Sequence, residues 1–223
     1  MLQSFSIMYQ NIRGIKSKWN SLKQIVEEKQ PTITALVETH LEEQDNVLTI
    51  DGYDTIRRDR QYGQGGGMLI YYNKSIKNML TVISPEDSSN ESVTCIKIKN
   101  SRTNIKLGVV YMPQESETKR EELKQIYDKL EQEIEISLRG DERILMIGDY
   151  NARIGTMIPG NEEKVTKGGR IIKHMMNKYN LYAANCSDKC SGLWTRSEKE
   201  SKSVIDYAII RKEDAKYIRS MNI

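Results

Sequence analysis

The side chains best placed for chemistry lie in the stretch Met146-Ile147-Gly148-Asp149-Tyr150-Asn151. Ile144 and Leu145 precede it, so a short apolar strand ends in a glycine turn that carries Asp149 and Asn151 two residues apart. A carboxylate that takes or orients a water's proton, beside an amide that holds an oxyanion, suits hydrolysis of a phosphoester. The competing reading is local, because Asp and Asn collect in turns for backbone reasons alone. What decides between the two is whether other polar groups converge on the same place.

The elements that must position them follow from periodicity. Residues 4–10 alternate apolar and polar side chains and predict a strand with one buried face, which runs into a turn at Asn11-Ile12-Arg13-Gly14. Trp19, Leu22, Ile25 and Val26 recur at helical spacing over residues 17–29, and Pro31 stops that helix. The apolar run 32–37 reads as a buried strand that delivers Glu38 to its end. The glycines at 65–67 precede a strand rather than a helix and lack a following Lys-Ser/Thr, so they form a turn, not a phosphate cradle. Strands are predicted at 77–83, 92–98 and 104–111, the last placing Tyr111 at its end. A long amphipathic helix follows over 116–138, then the strand entering Asp149, then a second helix at 168–179 that buries Ile171, Ile172 and Met175. Strands at 181–185, 192–195 and 203–210 close the pattern, with Thr195 and Asp206 near their ends. Strands outnumbering helices suit two packed sheets flanked by helices, and a set of strands that empty polar side chains at one edge makes a cleft.

Composition narrows the field. With 223 residues and no Pro/Ser/Gly-rich linker, one domain is expected. Lys and Arg number 34 against 31 Asp and Glu, a net charge of +3, so no global positive field announces nucleic acid and any basic surface must be local. Arg57, Arg58 and Arg60 are the candidates for DNA contact. No run is long and apolar enough to span a membrane and no signal peptide opens the chain, which reads as intracellular. Three cysteines make no disulfide framework, and Cys186 with Cys190 falls short of the four ligands of a structural zinc site.

Taken together, QNIRG at 10–14, VETHL at 37–41, VVYMP at 109–113, MIGDYN at 146–151, LWT at 193–195 and SVIDY at 203–207 resemble the endonuclease/exonuclease/phosphatase superfamily. The similarity is greatest to the endonuclease domain of non-LTR (LINE-type) retrotransposons, related to abasic-site endonucleases. Each motif is weak, but six in order over nearly the whole chain are specific. The resemblance implies a four-layer α/β/β/α sandwich of the DNase-I-like kind and a phosphodiesterase site using Mg²⁺, or Mn²⁺ in its place. By the same resemblance Glu38 is the main metal ligand with Asn11 beside it, and Asp149 orients and deprotonates the attacking water. Asn151 and Tyr111 hold phosphate oxygens, Thr195 contacts phosphate, and Asp206 pairs with a histidine. The residue types agree with that chemistry, since Mg²⁺ takes oxygen ligands, keeps several waters and needs only one or two protein carboxylates.

Two departures stand out. Arg13 occupies a position where relatives carry an acidic or amide side chain, and the closing Ser-Asp-His motif, expected after Asp206, is not reached by Ile223. The expectation is a fragment of a longer polyprotein, lacking its last core strand and slow or inactive as it stands, with duplex DNA as substrate. A reverse-transcriptase domain would share the polyprotein, and the site of action on genomic DNA would be nuclear. Two rivals stay open: a non-catalytic DNA-binding or interaction module, and a phosphatase acting on a small phosphorylated compound.

Overall fold

In the computed structural model, residues 5–46, 48–59, 66–83, 92–99, 104–116, 118–140, 142–158, 163–198 and 201–223 are described. Two sheets pack face to face. The first has four strands in the order β1-β2-β4-β3, formed by β1 (Ile7–Asn11), β2 (Ile33–Val37), β3 (Tyr53–Arg58) and β4 (Met68–Asn73). Six strands make the second, in the order β5-β6-β7-β8-β13-β9: β5 (Leu80–Ile83), β6 (Val93–Lys99), β7 (Asn104–Tyr111), β8 (Arg143–Asp149), β9 (Leu181–Ala183) and β13 (Asp206–Arg211). Short pairs complete the described strands, β10 (Cys190–Ser191) with β14 (Met221–Asn222) and β11 (Arg196–Glu198) with β12 (Ser201–Ser203).

Three apolar clusters mark the boundaries between four layers. Helix α1 (Trp19–Lys29) sets Leu22 and Val26 against Leu36, Leu69 and Tyr71 on the outer face of the first sheet. Between the sheets, Ile33, Ala35, Val37, Met68 and Ile70 meet Ile96, Ile98, Leu107 and Val109. On the far side, α2 (Arg120–Arg139) and α3 (Lys167–Lys178) cover Val93, Val110, Ile144, Met146 and Ile209. Strand β2 is buried on both faces, which explains why its sequence reads as an unbroken apolar run rather than an alternation.

Local chemistry corrects several sequence expectations. Residues 74–79 form a 3₁₀ turn instead of the first half of a strand, because the Asn73 side chain accepts the Ser75 N–H at 2.9 Å and only Ile76 in that turn is buried. The long helix starts at Arg120, and Ile171 on α3 is exposed while Ile172 and Met175 are buried. Strand pairing falls at 190–191 and 196–198, leaving 192–195 as the connection. Among the described residues no helix is long and apolar enough to cross a membrane.

Candidate active site

Both sheets deliver polar residues to one edge of the sandwich. Tyr111 ends β7 and pairs in parallel register with Asp149, which ends β8. Asp206 opens β13 and lies directly opposite Asp149 in antiparallel register. Three adjacent strands of the second sheet thus place one candidate side chain each on a single row. From the first sheet, β1 ends in Asn11 and its parallel neighbour β2 runs into Glu38.

Asn11 ties the halves together. Its Nδ2 donates to Glu38 Oε1 at 3.1 Å and to Asp149 Oδ2 at 2.9 Å, while its Oδ1 accepts the Arg13 N–H at 3.2 Å. The other Asp149 oxygen, Oδ1, accepts the Asn151 N–H at 2.8 Å. Burial raises the Asp149 carboxyl above its ordinary range and the Glu38 charge adds to this; the Asn151 and Asn11 bonds and the Arg196 charge oppose it. For Asp206, burial followed by the Asp149 charge pushes the carboxyl up to about 7, opposed by bonds to Thr195 and Tyr9 and by the charge of Arg13. Two adjacent carboxyls that both hold their protons more tightly than usual, Asp206 in part through the charge of Asp149, suit acid–base work.

The backbone around them is unusual. Arg13, Glu38, His40 and Asn151 have φ of 44°, 54°, 54° and 43°, in the left-handed region that side chains other than glycine rarely enter. Main-chain bonds hold this geometry: Gly14 N–H to Glu38 C=O at 2.8 Å, Thr39 N–H to Gly67 C=O at 3.3 Å and His40 N–H to Gly66 C=O at 3.0 Å. Gly66 and Gly67, at φ of 76° and 85°, form the described part of the glycine turn foreseen from sequence, and their carbonyls support the Glu38 loop. Arg13, Glu38, His40 and Asn151 are four of the six described non-glycine residues with positive φ, Gln30 and Asn180 being the others, and backbone of this kind recurs at ligand-binding and active sites.

The remaining candidates divide. The Asn151 Nδ2 donates to the Met112 carbonyl at 2.8 Å. Thr195 Oγ1 accepts the N–H groups of Ile205 at 3.0 Å and Asp206 at 3.2 Å, so it anchors the start of β13 from within the protein. Arg57 lies away from the cluster: its guanidinium meets Asp59 at 2.7 Å and the carbonyls of Asp45 and Glu42, stapling β3 to the 42–45 turn. Arg58 is half-buried on β3, and Arg60 lies outside the described residues. Sequence reading missed Tyr9, whose hydroxyl donates to Asp206 Oδ1 at 3.0 Å, and Asn185, whose side chain brackets β13 through the Asp206 carbonyl at 3.1 Å and the Ala208 N–H at 3.0 Å. Strand periodicity could have found Tyr9, because it shares a face with Asn11 two residues on. No comparable pattern marked Asn185.

The donor set suits a hard divalent cation. Among the described residues no three His, Cys, Asp or Glu side chains gather as a metal cage, but Mg²⁺ needs fewer protein carboxylates than that. Glu38, in an acidic neighbourhood that raises Asp149, would hold it with substrate and water oxygens.

A family model described as endonuclease/exonuclease/phosphatase matches residues 8–220. The chain belongs to that family. Its members generally depend on a divalent metal. No curated protein is significantly similar in sequence. Among solved structures, an AP endonuclease from Leishmania major superposes with a TM-score of 0.74 at 14% identity, covering 96% of this chain and 80% of that one. A 3′ phosphatase from Neisseria bound to a product DNA hairpin gives 0.75 at 10% identity, with 96% and 89% covered. The endonuclease domain of TRAS1, a telomere-specific non-LTR retrotransposon, gives 0.66 at 14% identity, with 94% and 85% covered. These neighbours share the two-sheet α/β fold.

Proposed function

We propose that this protein is a divalent-metal-dependent phosphodiesterase that nicks duplex DNA, as part of a retrotransposon-type polyprotein that also carries a reverse transcriptase. The observation that carries the reading is the row Tyr111, Asp149, Asp206 on one sheet, linked through Asn11 to Glu38 on the other. Water attacks phosphorus and gives its proton to Asp149, whose raised proton affinity fits a base. The bond from phosphorus to the 3′ oxygen breaks, leaving a 3′-hydroxyl that can prime synthesis and a 5′-phosphate. Tyr111 and Asn151 would donate to phosphate oxygens as charge grows on them, and the Asp206 carboxyl, which keeps its proton to about 7, would give that proton to the leaving 3′ oxygen and regain one from solvent. Bound at Glu38, Mg²⁺ or Mn²⁺ would supply Lewis-acid stabilisation of the phosphate. Neighbours named as an AP endonuclease and a retrotransposon endonuclease domain favour a DNA substrate and, for the latter, nuclear action.

The test is nicking of supercoiled plasmid with and without Mg²⁺. Cleavage should require the cation and fall at least about 100-fold in Glu38→Gln and Asp149→Asn. Metal-independent cleavage, or full activity in either variant, would refute the assignment. A monoesterase remains the second reading because one structural neighbour is a 3′ phosphatase. Release of phosphate from a 3′-phosphorylated oligonucleotide or a small phosphoester, without nicking, would favour it.

A further inference from the structure

Asp206 sits beside a second buried carboxylate, and something must fix which way it points. Asn185, in the turn after β9, and Thr195, in the connection before β11, bond to its backbone, and the Arg13 charge acts from the loop after β1. Tyr9 reaches it from the other sheet, its hydroxyl donating to Oδ1 at 3.0 Å. Because Tyr9 and Asn11 are two apart on one strand, they project from the same face toward the second sheet. There they meet residues that are themselves directly paired, Tyr9 with Asp206 and Asn11 with Asp149. Strand β1 is therefore a two-rung clamp across the acidic pair. The Tyr9 ring packs against the inter-sheet core, a task phenylalanine would perform equally well, so the hydroxyl's distinct contribution is its bond to Asp206.

We propose that Tyr9 is a positioning residue for phosphodiester cleavage: its hydroxyl, reaching across the two sheets, holds the Asp206 carboxylate in its working orientation beside Asp149. The inference rests on the nuclease reading above. A phenol keeps its proton at neutral pH, so the Tyr9 hydroxyl is a donor there. A charged acceptor makes such a bond stronger than a neutral pair.

The test compares Tyr9→Phe, Asp206→Asn and the double variant, with two readouts. In single-turnover nicking with Mg²⁺, Tyr9→Phe should lower the rate of cleavage about tenfold with little change in DNA affinity. It should have no further effect in the Asp206→Asn background. In metal-free protein, the carboxyl-carbon NMR signal of Asp206 should titrate at higher pH in Tyr9→Phe than in the unaltered chain, since the lost bond favoured the charged form. An unchanged midpoint, or an equal rate loss in both backgrounds, would overturn the proposal. If the unaltered chain neither binds nor cleaves duplex DNA in the presence of Mg²⁺, the nuclease reading falls, while the NMR midpoint still decides whether Tyr9 governs Asp206.

Discussion

At the scale of single residues, the site is held against the preference of its own groups, and Asp206 shows the cost most directly. Its carboxyl ordinarily releases a proton near 3.8 but retains it to about 7 in the folded protein, through burial and then the Asp149 charge. Between those values the native state binds more protons than the unfolded chain, so this group's contribution to stability declines as pH rises through the window. Replacing it by a neutral isostere removes the penalty. Asp206→Asn should therefore melt at higher temperature than the unaltered protein at pH 8, by the equivalent of a few kcal/mol, and the gain should vanish toward pH 4. Thermal melts across that range check it, and an equal shift at every pH would show that ionisation is not the cause. The same variant should nick DNA poorly, which makes the position one where activity and stability oppose each other.

Elements bring these residues together, and the elements are what sequence revealed best. Apolar alternation located β1, β6 and β7, unbroken hydrophobicity located β2, and apolar residues at helical spacing located the three α-helices among the described residues. Polar residues at strand ends then exposed Glu38, Asp149 and Tyr111, because a strand that stops being apolar marks the sheet's edge. Asp206 was legible as chemistry, yet its place at the start of β13 depends on antiparallel pairing with β8, which no local pattern encodes. The inward turn of Arg57 onto Asp59 and the 42–45 carbonyls was equally invisible, since RRDR looks like a solvated basic surface from composition alone. Arg57→Ala should accordingly cost about 1 kcal/mol in a denaturant melt while leaving affinity for duplex DNA unchanged. Gly148 makes the neighbouring case for strand β8. A methyl group there would lie 1.9 Å from the Val110 carbonyl oxygen of β7, so the glycine of the GDYN turn permits close approach of two strands. Gly148→Ala should destabilise the fold by about 3 kcal/mol, read from the denaturation midpoint, and separate Tyr111 from Asp149.

The whole molecule matters because neither sheet holds a complete site. Asn11, Glu38 and Tyr9 belong to the first sheet and its loops, while Tyr111, Asp149 and Asp206 belong to the second. The layer between the sheets therefore sets the distance across which Asn11 and Tyr9 must reach, and the outer layers do not. Ile70, on β4, is fully buried in that inner layer, and Leu22, on α1, is 3% exposed in the outer layer beneath the helix. Truncating either to alanine should lower stability by a comparable amount, about 2 to 5 kcal/mol. Their effects on turnover should differ. Well below the melting temperature, Ile70→Ala lets the sheets settle closer and shifts Asn11 against Asp149, so nicking should slow by an order of magnitude or more, the scale of loss that misplacing reacting groups by about 1 Å produces. Leu22→Ala leaves the inter-sheet spacing intact and should nick at nearly the unaltered rate. Stability from denaturant melts, set beside single-turnover rates for the same two variants, separates loss of fold from loss of alignment; equal rate losses would mean that the inner layer does not set the geometry of the site.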